Sequence, residues 1–116
     1  MRTWVYDPHS GGNSIRPKQK EILLAQAEKH TKKLPKFKGH DVVFRFKGKF
    51  CYIGAKKKDE DYIYPLCRLR YFRDNVWSIA AFTWSNEQYY PHVFKNGSQE
   101  GTIMDALDMC QNWLLD

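Results

Sequence analysis

Between Asp41 and Phe94 the chain alternates in character residue by residue: Val42, Phe44 and Phe46 interleave with Val43, Arg45 and Lys47, and Cys67, Leu69 and Tyr71 with Arg68, Arg70 and Phe72. A period of two matches the pleat of a half-buried strand and cannot keep one side of a helix apolar. The β-branched and aromatic content of this stretch points the same way. Turn formers divide it. Lys47-Gly48 is a tight turn into a strand over 50–55, with Phe44 opposite Cys51 for a two-residue loop or Tyr52 for a three-residue one. The charged run over residues 56–61 is a solvated loop before a strand over 64–72. Asp74-Asn75 leads into a strand over 76–84. A two-residue loop there places Cys67, Leu69, Tyr71, Ala80 and Phe82 on one face, and Arg68, Arg70, Phe72, Trp77 and Ile79 on the other. Ser85-Asn86-Glu87 turns into a fifth strand, 89–94, where Pro91 lacks a ladder donor and so belongs at an edge.

Helical spacing flanks this region. Pro17 suits a first helical turn, and Ile22, Leu23, Ala27, His30 and Leu34 recur on one side of a basic amphipathic helix over 17–34. Thr102 with Asp105 three residues on forms a capping pair for a last helix, 102–115, lined by Ile103, Leu107, Cys110 and Leu114. The expected fold is α+β. An antiparallel sheet of about five strands, 41–95, runs as a meander with both helices packed on one face, and residues 1–16 form an arm with a short strand over 3–6 followed by a loop.

At 116 residues, 42% hydrophobic and 16% aromatic, the chain has material for one core, and no linker divides it into two domains. No apolar run approaches the ~20 residues that span a bilayer, and residues 1–8 lack a signal-peptide core, which predicts a cytoplasmic protein without membrane attachment. Cys51, Cys67 and Cys110 are odd in number and lie in apolar patterns, as free thiols in a reducing compartment do. The net charge of +6 is uneven: residues 1–60 hold 15 of the 19 Lys and Arg but six of the 13 Asp and Glu. The molecule should have a basic end.

Three stretches carry candidate chemistry. Asp7, His9, Ser10, Gly11 and Gly12 set a carboxylate, an imidazole and a hydroxyl beside glycines able to form an anion nest, yet the same residues make an ordinary turn. Around this motif, in Trp4-Val5-Tyr6-Asp7-Pro8-His9-Ser10-Gly11-Gly12, and again in residues 48–53 and 66–72, the chain resembles a group of short uncharacterised bacterial proteins whose last helix is capped by Gly-Thr. The resemblance implies bacterial kinship and a shared fold, and brings no activity, cofactor or partner with it.

The second stretch is the face bearing Arg68, Arg70, Phe72 and Trp77, where guanidinium groups and rings alternate as on sheets that bind single-stranded nucleic acid or a protein partner, although the same stacking also stabilises an ordinary exposed sheet face. The third is the helix face with Lys18, Lys29, Lys32 and Lys33, which can follow phosphates or simply be solvated. His9, His30, His40 and His92 are scattered and no C-x-x-C occurs, so no metal or other cofactor is expected. With no catalytic constellation in view, the expected function is a non-catalytic binding or protein-interaction domain, partnering another protein or itself as a homodimer. The alternative is nucleic-acid binding through the lysine helix and the arginine face. A small enzyme centred on Asp7, His9 and Ser10 ranks third.

Overall fold

The computed structural model describes residues 11–114. The expected strand over 3–6 and Asp7, His9 and Ser10 lie outside them. In chain order the elements are α1 (Pro17–Thr31), a 3-10 turn at Pro35–Phe37, then β1 (His40–Lys47), β2 (Phe50–Lys57), β3 (Tyr64–Arg73), β4 (Val76–Thr83) and β5 (Gln88–His92). α2 (Ile103–Cys110) follows and ends in a 3-10 turn at Gln111–Trp113. The five strands form one antiparallel meander, each paired with its neighbours in sequence, so β1 and β5 are the edges. No described helix is long and apolar enough to cross a membrane.

Both helices cover the same face. Leu23 and Ala27 of α1 and Ile103, Ala106, Leu107 and Cys110 of α2 are buried together with Cys51, Ile53, Ala55, Cys67, Leu69, Trp77 and Ile79. His30 of α1 meets Asp108 of α2 at 2.7 Å, and Lys36 donates to the Asn112 side chain. Ile22, expected on the buried side of α1, is instead exposed. Its Cα is one residue, about 100°, away from that of Leu23, and the contact stripe is narrow enough to leave it out.

The α2 start is held by three separate devices. Thr102 and Asp105 form the reciprocal capping box expected of them. Gly101 exchanges two main-chain bonds with Trp77 at 2.8 and 3.0 Å, and the Asn75 carboxamide oxygen accepts from both Ile103 N–H and Trp77 Nε1. Asp74 and Asn75 have φ of 31° and 59°, the two positive values that a tight two-residue hairpin turn of matching twist requires.

Two registers differ from those the sequence suggests. The β1–β2 turn is Gly48-Lys49, one residue later than expected, so Phe44 stands opposite Ile53 rather than Cys51 or Tyr52. Compared with the two-residue reading this is a shift of two, and sidedness is unchanged. The second difference reverses a face. β3 pairs Tyr71 with Trp77 and Arg73 with Val76, leaving Phe72 as an extra, bulged residue. Beyond it every β4 side chain changes sides: Trp77 and Ile79 join Cys67 and Leu69 in the core, and Ala80 and Phe82 join Arg68 and Arg70. Trp and Ile together bury more apolar surface than Ala and Phe, and at ~25 cal/mol per Å² that difference favours the bulged pairing.

The three cysteines are free, buried and neighbours in the core. Burial, with Cys110 nearby, pushes the Cys51 thiol up to about 12, and a hydrogen bond with Cys110 together with burial pushes Cys67 well above its ordinary value. Thiolate, the reactive form, is therefore scarce at neutral pH. The native protein should take up no maleimide or Ellman's reagent at pH 7.5, whereas the guanidinium-unfolded chain should titrate three thiols; stoichiometric labelling of native Cys51 or Cys67, located by mass spectrometry, would contradict this burial.

Candidate binding face

With the helices on one side, the other face of the sheet carries the functional candidates. Register defines its rows. Arg45, Tyr52, Arg68, Ala80 and Pro91 lie across the five strands, and Lys47, Phe50, Arg70 and Ser78 form the next row. Phe82 and Tyr89 pair on the opposite side of the first row. The only acid that alternation places on β1's share of this face is Asp41. Lys58 donates to it at 3.0 Å with Lys56 at 3.8 Å, and the Lys58 hydrogen bond holds its carboxyl below the usual value.

Rings run along this face as a connected series. Phe50, Tyr52, Tyr89, Phe82, Trp84, Tyr64 and Tyr62 succeed one another with centroid separations of 6.1, 5.8, 5.2, 4.9, 6.0 and 4.7 Å. All fall within the range of favourable aromatic pairs, and all are tilted or edge-on, with interplanar angles of 49–79°. Tyr52 and Tyr89 belong to strands three spacings apart, about 14 Å in a flat sheet, so their rings lean towards each other over β3 and β4. Ala80 in the same row is small enough to permit it. Burial raises the Tyr89 phenol above its ordinary value.

Guanidinium groups occupy ring faces within this series. Arg45 lies 4.5 Å over Tyr52, Arg68 lies 4.8 Å over Phe50 and 5.4 Å over Tyr89, and Arg70 lies 4.8 Å over Phe50. Each such contact is worth about 0.5–2 kcal/mol and fixes the direction of the cation. Between Val43, Arg45, Tyr52, Gly54, Pro65 and Tyr89 lies a hollow of about 290 Å³. Gly54 lets the start of β3 pack closely beside it. A second bulge at Leu66 brings residues 63 and 64 close over Gly54, where a Cβ would stand 2.7 Å from Ile63 and 3.0 Å from the Tyr64 carbonyl oxygen.

Two of the sequence candidates come together and others separate. Arg70 is buried and donates from Nη1 to the Gly11 carbonyl at 3.0 Å, so the end of the glycine loop lies on the arginine face. Gly12, at φ 93°, fits against Arg70 and the Tyr71 carbonyl, where a Cβ would approach to 3.0 and 2.9 Å. Asn13 then donates from its main chain to Tyr71 O and from its side chain to Phe72 O, across the bulge. Trp77, expected beside Arg68, is fully buried on the opposite side because of the bulge at Phe72. Phe72 itself is the half-buried bulge residue and no longer a member of the Arg68 row.

Lys18 and Lys29 are exposed on α1, in the helical layer behind the sheet, whereas Lys32 and Lys33, expected on the helix, are exposed just past its end at Thr31. They do not extend the arginine face. Lys32 and Lys33 line a different cleft of about 680 Å³ with Lys38, His40 and Lys58, at the C-terminal end of α1, where the helix carbonyls disfavour an anion. Among the described residues no three His, Cys, Asp or Glu side chains group as metal ligands. Arg45, Tyr52, Phe82, Trp84 and Tyr89 were not singled out from sequence. Arg45 and Tyr52 share the alternation with Arg68, but only the register aligns them, and Phe82 is sorted correctly only once the bulge is known. The chain matches no family model, no curated protein and no solved structure.

Proposed function

We propose that this protein is a non-catalytic interaction module that docks an acidic segment of a protein partner on the open sheet face. The observation that carries the reading is the placing of Arg45 over Tyr52 and Arg68 over Tyr89, two rings that border an apolar hollow, on a face where the β1 carboxylate, Asp41, is balanced by Lys58 and Lys56. A partner with an apolar anchor side chain flanked by carboxylates matches both features: the anchor fills the 290 Å³ hollow and the carboxylates meet guanidinium N–H groups.

Two features favour protein over nucleic acid. Base stacking needs open, parallel ring faces, whereas these rings are tilted against one another and arginines cover Phe50, Tyr52 and Tyr89. Lys18 and Lys29 of α1 lie in the helical layer behind the sheet, apart from Arg68. A second copy docked face to face is disfavoured because like charges would meet.

A direct test is chemical-shift mapping with a soluble glutamate–tyrosine copolymer, with oligo(dT) as the rival probe, both at low salt. The copolymer should shift resonances of Tyr52, Phe82 and Tyr89, and Arg68→Glu should weaken its binding at least tenfold. Tighter binding of oligo(dT) than of the copolymer, or copolymer shifts confined to α1, would overturn the proposal.

A further inference from the structure

We infer that β1 is a self-pairing edge through which two copies join into one continuous sheet. This goes beyond docking on the open face and does not depend on it. The two edges of the meander are unlike. β5 has five residues, and Pro91 removes one donor from it. β1 has eight residues without proline, and its register with β2 runs unbroken from His40–Lys57 to Lys47–Phe50. Among the described residues it has neither a proline nor a bulge to blunt the edge, only its charges.

The direction of its free groups follows from the hairpin. Residues flanking a two-residue loop exchange both main-chain bonds, so Lys47, Arg45, Val43 and Asp41 direct theirs to β2. His40, Val42, Phe44 and Phe46 direct theirs to the open side, where no other described main-chain group bonds to them. Val42, Phe44 and Phe46 are also only partly buried, so the apolar layer beneath the sheet reaches this edge unfinished.

The charges select a second copy in antiparallel orientation. Asp41 stands near one end of the strand and Arg45 and Lys47 near the other. With Val43 on the two-fold axis, Asp41 of each copy faces Arg45 of the other, and Val42 faces Phe44. The Asp41 carboxylate, half-exposed with Lys58 at 3.0 Å and Lys56 at 3.8 Å, keeps acceptor sites for that guanidinium, so an ion-pair network forms twice on the open face while apolar side chains meet twice on the core face. In this register the outward-directed residues pair with one another, as an antiparallel ladder requires. Shifting the axis to Phe44 sets Arg45 against Val43 and loses that match. Parallel pairing in register would align Arg45 with Arg45. The outcome is a ten-stranded sheet with the two arginine and ring faces side by side on one surface.

At the axis Val43 forms a non-hydrogen-bonded pair with its equivalent, Cα atoms about 4.5 Å apart, within reach of a disulfide. Light scattering and sedimentation should give a dimer whose dissociation is concentration dependent. Under mild oxidation Val43→Cys should form a disulfide-linked dimer, against a low background because the native thiols are buried. Arg45→Asp should weaken dimerisation at least tenfold, and adding Asp41→Arg should restore it. A monomer at millimolar concentration, a dimer that Val43→Cys fails to cross-link, or a dimer indifferent to Arg45→Asp would each overturn the inference. So would a β1 edge found occupied by a strand from a different protein.

Discussion

Trp77→Ala should lower the unfolding free energy by about 3–5 kcal/mol, a large part of the ~5–15 kcal/mol that holds a domain of this kind together. Trp77 is fully buried and packs edge-on against Tyr71 at a centroid distance of 5.0 Å. Its backbone and indole N–H hold Gly101 and Asn75, two of the three anchors of the α2 start. Truncation therefore opens a cavity beneath the helix and also removes one of the two bonds on the Asn75 oxygen. Urea denaturation followed by far-UV circular dichroism would measure the loss as a lowered midpoint. Trp84→Ala is the control. That ring is 38% exposed on the open face, and its removal should cost about 1 kcal/mol or less. Equal effects of the two substitutions would mean that the bulge at Phe72 does not set the sides of β4.

Raising the pH from about 9 to 12 should destabilise the fold by roughly 4 kcal/mol through Cys51 alone, taking 1.36 kcal/mol per pH unit over the interval between its ordinary and folded values. In this window the unfolded chain has lost the thiol proton that the folded chain keeps, so unfolding releases protons and stability falls as pH rises. The contribution is fully present below pH 9. Cys67, raised in the same direction, adds to it, as does the Tyr89 phenol above pH 10. Cys51→Ala leaves only a small cavity and should flatten the slope of stability against pH above 9, which urea titrations at pH 8, 9.5 and 10.5 would resolve. An unchanged slope in that variant would place the alkaline sensitivity elsewhere.

The same three thiols show why the outline of the fold was legible. Alternation, helical spacing and the Thr102–Asp105 pair are properties of neighbouring residues, and each produced the element expected: five antiparallel strands in meander order, two helices on one face, and Pro91 on an edge. Cysteines within apolar patterns proved to be core residues for the same local reason. The hidden side of β3 and its arginine-bearing side were likewise readable, since Cys67 and Leu69 differ from Arg68 and Arg70 by every measure of hydropathy.

What escaped was anything that a single extra residue decides. Trp77, Ile79, Ala80 and Phe82 are all apolar, so the β4 pattern fits the core with either parity, and only the volume available beneath the sheet chooses Trp77 and Ile79 and obliges Phe72 to bulge. The composition of the open face changes with that choice, because Phe82 moves into the ring series and Trp77 leaves it. The joining of Arg45, Tyr52, Arg68 and Tyr89 was out of reach for a related reason: they lie on four different strands, and their contact depends on how far Tyr52 and Tyr89 lean across the sheet. Sequence by itself determined the elements, their order and the character of β3's two sides, because those follow from interactions within a few residues. Tertiary structure alone decided which rings meet which arginines, because packing a fixed volume under the sheet sets the bulges, and the bulges set every side chain beyond them.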